Sequence, residues 1–109
     1  PLYYVPFELS EGSVVLWKTE ISEKGKMVRY LIQGPCSLGF HFHKITEIVS
    51  GVRGTLFYET KDKLITINPG EIYVTAADEV HSARFDAPGE VLVHWPEQID
   101  NLLEIGVWP

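Results

Sequence analysis

The side chains with the clearest chemistry in this chain are three histidines and one glutamate, namely His41, His43, Glu47 and His81. Neutral imidazole nitrogens together with a carboxylate oxygen suit a first-row divalent metal. Strand side chains alternate with a period of two, so the rings at 41 and 43 face the same side of an extended strand and can bind one ion. A His-x-His pair close to a glutamate also arises by chance, so the surrounding residues have to support the metal hypothesis.

The segment around the first two histidines resembles the first motif of the cupin family. That motif is His-x-His, three or four residues, Glu, six residues and Gly, and it is matched by His41, His43, Glu47 and Gly54. One position departs from the pattern, because Pro35 stands where a glycine usually precedes the first histidine by six residues. All ligand positions of this motif are present.

The segment around the third histidine resembles the second cupin motif. That motif is Gly, five residues, Pro-x-Gly, two residues, His, three residues and Asn, and Gly70 and His81 match it. The motif's Pro, Gly and Asn are replaced by Ala76, Asp78 and Phe85. These replacements fall on a turn and on a strand position, so they affect the subfamily assignment more than the metal ligands.

The resemblance covers about residues 30 to 95 and implies an all-β fold, the cupin-type jelly-roll barrel or double-stranded β-helix. In such a barrel His41 and His43 would come from one strand, Glu47 from the start of the next, and His81 from a strand across the barrel. Four protein ligands would leave an octahedral ion with two positions for water, oxygen or a chelating substrate.

The rest of the sequence is consistent with this fold. Short runs rich in β-branched and aromatic residues alternate with Gly, Pro, Asn and Asp, which is typical of a β-sandwich or barrel. The predicted strands are Ser13 to Thr19, Met27 to Gln33, Leu38 to His43, Glu47 to Val52, Thr55 to Thr60, Leu64 to Ile67, Glu71 to Thr75, His81 to Phe85 and Val91 to Trp95. The only helical candidate is Pro96 to Glu104, with Leu102, Leu103 and Ile105 available to dock a last turn. Residues 1–109 are expected to form a single domain.

Composition and charge exclude several classes of partner. The net charge of −6 would repel nucleic acid and anionic membranes. No apolar run approaches 18 residues, and Pro1 to Tyr4 has no basic region, so neither a membrane span nor a signal peptide is expected. The single Cys36 rules out an internal disulfide and fits a reducing compartment. We therefore expect a cytoplasmic protein.

Three further side chains are weaker candidates for the site. His94 is a candidate acid or base, although a strand histidine is more often a surface or hydrogen-bonded group. Tyr73 and Arg84 flank the second motif and are candidates to bind a substrate carboxylate or phosphate. Alternation opposes Arg84, because it lies three residues from His81 and so faces the other way on a regular strand. None of these residues has a spacing that identifies a substrate.

The ligand set leaves the metal and the function open. Iron, manganese, nickel, cobalt, copper and zinc all accept mixed nitrogen and oxygen donors. The resemblance implies an enzyme on a small oxygenated substrate, of the dioxygenase or decarboxylase type. One alternative is a metal-supported module that binds a small molecule or sugar, or isomerises it, without redox chemistry. The other is a barrel in which the metal has only a structural role. The fold cannot choose among them, since one scaffold hosts many chemistries.

An assembly is also expected. Small barrels expose edge strands, and the segment Pro1 to Phe7 is too apolar for a solvated tail. We expect it to pack on or pair with a second subunit in a homodimer.

Overall fold

A computed structural model describes residues 4–7, 11–12, 15–22, 25–96 and 105–107 of the chain. These described residues form strands and connecting turns. The strands are β1 (Tyr4–Phe7), β2 (Glu11–Gly12), β3 (Val15–Ser22), β4 (Gly25–Ile32), β5 (Cys36–His43), β6 (Glu47–Arg53), β7 (Leu56–Thr60), β8 (Leu64–Ile67), β9 (Ile72–Thr75), β10 (His81–Phe85), β11 (Gly89–Trp95) and β12 (Ile105–Val107). Within the same residues, no helix is long and apolar enough to cross a membrane.

The strands form two antiparallel sheets. One sheet has the order β1-β3-β4-β11-β6-β9, and the other has the order β12-β5-β10-β7-β8, with β2 paired to β5 beside it. Several neighbouring strands are distant in sequence, as the pairing of β4 with β11 and of β5 with β10 shows. The predicted all-β jelly roll is confirmed.

One buried apolar cluster joins the two sheets face to face. Its members are Val15, Ile32, Cys36, Val49, Leu56, Tyr58, Ile67, Phe85 and Val91. Alternation along each strand explains it: in β11, Val91 and Val93 are buried while Leu92 between them is only half-buried. We call the part of the interior around this cluster the apolar end.

The other part of the interior, here called the polar end, is built by the opposite halves of the same strands. In β5, Cys36 belongs to the apolar cluster while His41 is buried at the polar end. In β10, Phe85 belongs to the apolar cluster while His81 is buried at the polar end. A smaller apolar cluster of Val28, Val93 and Trp95, with Trp17, Tyr30 and Ile45 packed against it, lines the polar end.

Strands close to both chain ends pair within the chain. The segment Tyr4–Phe7 pairs with β3, and its packing on a second subunit stays a prediction. Ile105 lies in β12, which pairs with β5. From position 97 to position 104, the predicted helical turn lies outside the residues that the structure describes. The homodimer stays a prediction.

Candidate metal centre

Three imidazole rings meet at the polar end. His41 and His43 lie two residues apart on β5 and therefore on the same side of the strand. His81, at the start of β10, is the register partner of His41. The ring centroids of His41 and His81 are 4.2 Å apart, and that of His43 lies 5.1 Å from His41 and 5.2 Å from His81. One ligand atom from each residue lies within 4.8 Å of the others, so the three can hold one ion.

The position of His81 corrects one expectation. The sequence interpretation placed it on a strand across the barrel from His41, whereas β10 is hydrogen-bonded directly to β5 in the same sheet. The physical reason is the jelly-roll topology, which makes strands that are distant in sequence neighbours in the sheet. The other sheet contributes the carboxylate, because Glu47 begins β6.

Hydrogen bonds to backbone carbonyls orient two of the rings. The Nδ1 of His41 lies 2.7 Å from the Gly39 carbonyl oxygen, and the Nδ1 of His81 lies 2.9 Å from that of Glu79. A carbonyl oxygen only accepts, so each Nδ1 carries the proton and each Nε2 presents its lone pair. Metal-binding histidines are commonly fixed in this way. The residues present therefore fit a divalent transition metal.

Glu47 completes the donor set from the facing sheet. Glu47 is 5% exposed, and its Oε2 lies 2.7 Å from the Nε2 of His43. Its Oε1 lies 3.7 Å from the Nε2 of His81. An ionised oxygen thus stands among the imidazole nitrogens, as the predicted three-histidine and glutamate set requires.

Burial and mutual charge keep these groups in their metal-binding protonation states. Burial, followed by the nearby His81, lowers the pKa of His41 to about 4. Burial also lowers the pKa of His81, although the Glu47 charge opposes this. Burial would raise the pKa of Glu47, but the hydrogen bond from His43 and the histidine charges outweigh it, and the pKa is lowered. At neutral pH, His41 and His81 are neutral and Glu47 is ionised, as ligands must be.

Aromatic rings support the histidines from behind. The Tyr58 ring stacks on His81 at 5.1 Å with an interplanar angle of 10°, and its hydroxyl is hydrogen-bonded to Thr75. Trp95 meets the His43 ring edge-on at 5.5 Å. These contacts leave the rings little freedom to rotate, which fixes the site geometry.

The turn between β9 and β10 ties the site together. The Asp78 backbone N–H donates to the His43 carbonyl at 2.7 Å, and Glu79 N–H closes the turn on the Ala76 carbonyl at 3.1 Å. Asp78 adopts a φ of 67°, in the left-handed region that favours glycine. This is the position where the second cupin motif has Gly, so the departure keeps the conformation of the motif.

Comparison with known proteins identifies the fold. No protein-family model matches the sequence, and the search of curated proteins found no match. Solved structures do match. An RmlC-like cupin from Shewanella frigidimarina has a TM-score of 0.72 at 12% identity, over 89% of this chain and 87% of that one. This chain has a cupin fold.

Two further solved cupin-fold structures carry names that describe a reaction. A variant of the oxalate decarboxylase of Bacillus subtilis has a TM-score of 0.79 at 14% identity, over 97% of this chain and 30% of that one. A DMSP lyase from Ruegeria pomeroyi has a TM-score of 0.67 at 19% identity, over 79% of this chain and 44% of that one. At these identities the likeness concerns the fold.

The weaker site candidates take different places in this fold. Tyr73 lies on the inward side of β9, where its hydroxyl donates to Glu79 Oε1 at 3.1 Å and its ring is 5.1 Å from that of Tyr58. It therefore contacts the residues around His81. Burial raises its pKa, so at neutral pH it remains a donor.

Alternation puts His94 and Arg84 on outward faces. His94 lies between Val93 and Trp95, both of which point into the interior, so its ring points away from the metal centre. Arg84 is more than half exposed and pairs with Asp86 at 2.8 Å, as its parity predicts.

Sequence reasoning missed Lys26, which stands one residue before the predicted strand Met27 to Gln33. It belongs to β4 and is 2% exposed, on the same side of the strand as Val28 and Ile32. The sequence signal for Lys26 is its place two residues before Val28. Extending the predicted strand by one residue toward its start would have put Lys26 on the inward face.

Proposed function

We propose that this protein is a metal-dependent enzyme of the cupin type that acts on a small oxygenated substrate in a dioxygenase or decarboxylase reaction. The observation that carries the proposal is the convergence of His41, His43 and His81, with donor atoms within 4.8 Å of one another, on the carboxylate of Glu47. The fixed Nδ1–H tautomers of His41 and His81 support it, because they aim the Nε2 lone pairs at the same centre.

A bound divalent metal would act there as a Lewis acid that polarises a chelating enediol, diketone or carboxylate group. The protein's own groups set the conditions for this. The Trp95 ring contacts His43 and the Tyr58 ring stacks on His81. These aromatic rings exclude water from the sides of the two imidazoles that they cover. In such an apolar surrounding, fixed charges interact more strongly than in water.

Glu47 has a particular part in this arrangement. Its two oxygens face the Nε2 atoms of His43 and His81, so substitution of Glu47 removes the negative charge that faces these nitrogens. Without that charge, a divalent ion would be held by neutral nitrogens alone. Glu47 is therefore expected to affect both metal retention and the charge that the substrate meets.

The names of two similar structures favour a bond-cleaving reaction. The Bacillus subtilis protein is named an oxalate decarboxylase and the Ruegeria pomeroyi protein a lyase. Their identity to this chain is below 20%, so they support a reaction class and no substrate.

The test begins with the metal content of the purified protein by mass spectrometry. Metal-loaded protein is then assayed for oxygen uptake and for CO₂ release with diketones, catechols and sugar acids. Glu47→Gln should abolish turnover, whereas the exposed matched control Glu59→Gln should not change it. Redox-active metal with turnover supports the enzyme. Stoichiometric zinc without turnover contradicts it and supports the binding or isomerase module.

A further inference from the structure

The polar end contains a buried cation outside the metal ligands. Lys26 is 2% exposed, although lysine is almost never fully buried unless it is paired. Its side chain shares the inward side of β4 with Val28 and Ile32, which are both buried. Burial lowers the pKa of Lys26 to about 8, so the amine remains mostly protonated at neutral pH.

Lys26 and the metal centre share one aromatic neighbour. The Lys26 Nζ lies 5.9 Å from the centre of the Trp95 ring, and the His43 ring lies 5.5 Å from the same ring. Lys26 and Trp95 are also register partners across β4 and β11. The ammonium group and one of the candidate metal ligands thus both lie within 6 Å of the same tryptophan ring.

The described residues supply no anion for this cation. None of the ion pairs formed between residues of the described ranges includes Lys26. Burial is also the sole cause of its lowered pKa, and Glu47 does not contribute. A buried charge is costly unless it is paired, and the ring of Trp95 compensates only part of that cost.

We propose that Lys26 is a substrate-binding residue that holds a carboxylate group of the substrate while another part of the same molecule chelates the metal. The proposal rests on the proposed metal-dependent function and deepens it by naming the substrate class, a small acid with two functional ends. A carboxylate fits because its charge pairs with the ammonium group and its two oxygens accept hydrogen bonds from it. Both ends of the bound substrate would lie close to the Trp95 ring.

The simplest opposing explanation is structural. Lysine stems pack well on apolar surfaces, and a cation over a tryptophan ring is favourable in itself. In that case Lys26 would stabilise the polar end without any ligand. The two explanations differ in one observable, because only substrate binding makes affinity depend on a negative charge in the ligand.

The first experiment uses the unaltered protein loaded with Mn²⁺ and isothermal titration calorimetry. The probes are malate, 2-hydroxyglutarate and 2-hydroxyadipate, each compared with the analogue whose distal carboxylate is an uncharged amide, and lactate serves as a probe of chelation alone. We expect at least one diacid to bind about ten- to hundredfold more tightly than its amide, the range of a hydrogen bond to a charged group. Equal affinity within all three pairs overturns the proposal.

The second experiment uses variants with matched chemistry. Lys26→Met keeps the apolar stem and should abolish the preference for the diacid, while Lys26→Arg should retain a preference. Lys63→Met is the control, because Lys63 is an exposed lysine whose Nζ also lies over an aromatic ring, that of Tyr73 at 5.8 Å. It should leave the preference unchanged. A folded Lys26→Met protein that still prefers the diacid overturns the proposal.

The outcomes separate the two proposals. If lactate binds the loaded protein and the diacids gain nothing over their amides, the role of Lys26 is wrong and the metal-dependent function stands. If Mn²⁺ does not bind, or if none of the probes binds the loaded protein, the proposed function fails and takes the role of Lys26 with it.

Discussion

The two ends of the interior are built by the same strands from different residue types. Around Phe85 the sheets meet through apolar side chains, whereas around His81, on the same strand, they meet through imidazoles and a carboxylate. In β5, Cys36 and His41 are divided in the same way. Removal of apolar surface from water at the apolar end stabilises the folded state. Burial of ionisable groups at the polar end offsets part of this stabilisation.

This difference means that stability and site chemistry can be altered separately on one strand. A substitution at the apolar end should lower stability and leave the site intact in the folded molecules. A substitution at the polar end should alter metal binding or pH dependence. Variants in β5 and β10 test whether this separation holds.

The largest effect is expected for Phe85→Ala. Phe85 is 5% exposed in the apolar cluster, and its truncation should lower the free energy of unfolding by about 3–5 kcal/mol. Urea denaturation of the metal-free protein measures this, and metal content per folded molecule should stay unchanged. Arg84→Ala, one residue away and exposed, should change stability by less than about 0.5 kcal/mol. Loss of the metal site in folded Phe85→Ala protein would show that the two ends are coupled.

The next effect concerns metal affinity. His81→Ala should weaken metal binding about a hundredfold or more, and as much as His41→Ala, because both rings present an Nε2 to the same centre. Competition with a chromogenic chelator measures this. The matched control is His94→Ala, which removes a histidine from the outward face of β11 and should leave the affinity unchanged. Full metal retention by His81→Ala would remove the second motif from the site.

Acidification should affect the polar end alone. The pKa of His41 is about 4 in the folded protein and about 6.5 when unfolded, so between these values the unfolded chain binds more protons. Stability of the metal-free protein should therefore fall as pH decreases from about 6.5 to 4, by about 3 kcal/mol for this group. The lowered pKa values of His81 and Glu47 act in the same direction.

Urea denaturation of chelator-treated protein across this range measures the effect. His41→Gln should flatten the pH dependence, since the substituted group no longer titrates. A stability that is constant or increases on acidification would contradict the assignment of a neutral, buried His41.

The smallest effect is expected at the turn before β10. Asp78→Gly should change the free energy of unfolding by less than about 1 kcal/mol, because glycine adopts the positive φ freely while it loosens the unfolded chain. Asp78→Val should be clearly more destabilising, since a branched side chain is strained at this φ. Thermal unfolding of both variants measures the difference, and equal melting temperatures would show that the turn tolerates either conformation.

Much of the fold was predictable because strand alternation and turn residues are local signals. The predicted strand Leu64 to Ile67 agrees with β8 at both ends, and His81 to Phe85 agrees with β10. The pairing of strands is not a local property, which is why His81 was expected across the barrel and was found next to His41. The sequence pattern cannot distinguish neighbours within a sheet from partners across it.

The site divides in a similar way. His41, His43 and His81 come together as the motif spacing predicts, with Glu47 beside them. Lys26 was not found, because a charged residue next to a glycine is typical of a turn and only the structure extends β4 back to include it. The backbone carbonyl groups that orient the His41 and His81 rings could not be predicted either, since backbone acceptors have no sequence signature.

The adjacency of His41 and His81 has a consequence for the order of events during folding. These two residues pair across β5 and β10, so their strands meet only after a long intervening chain, which contains β6 to β9, has closed on itself. Closing such a loop is slow and comes before its contacts can stabilise anything. An ion that needs both histidines finds its full binding site only in chains that have already completed this step. We therefore expect a bound metal to prolong the lifetime of the folded protein by slowing unfolding, while the rate of folding stays nearly that of the metal-free chain.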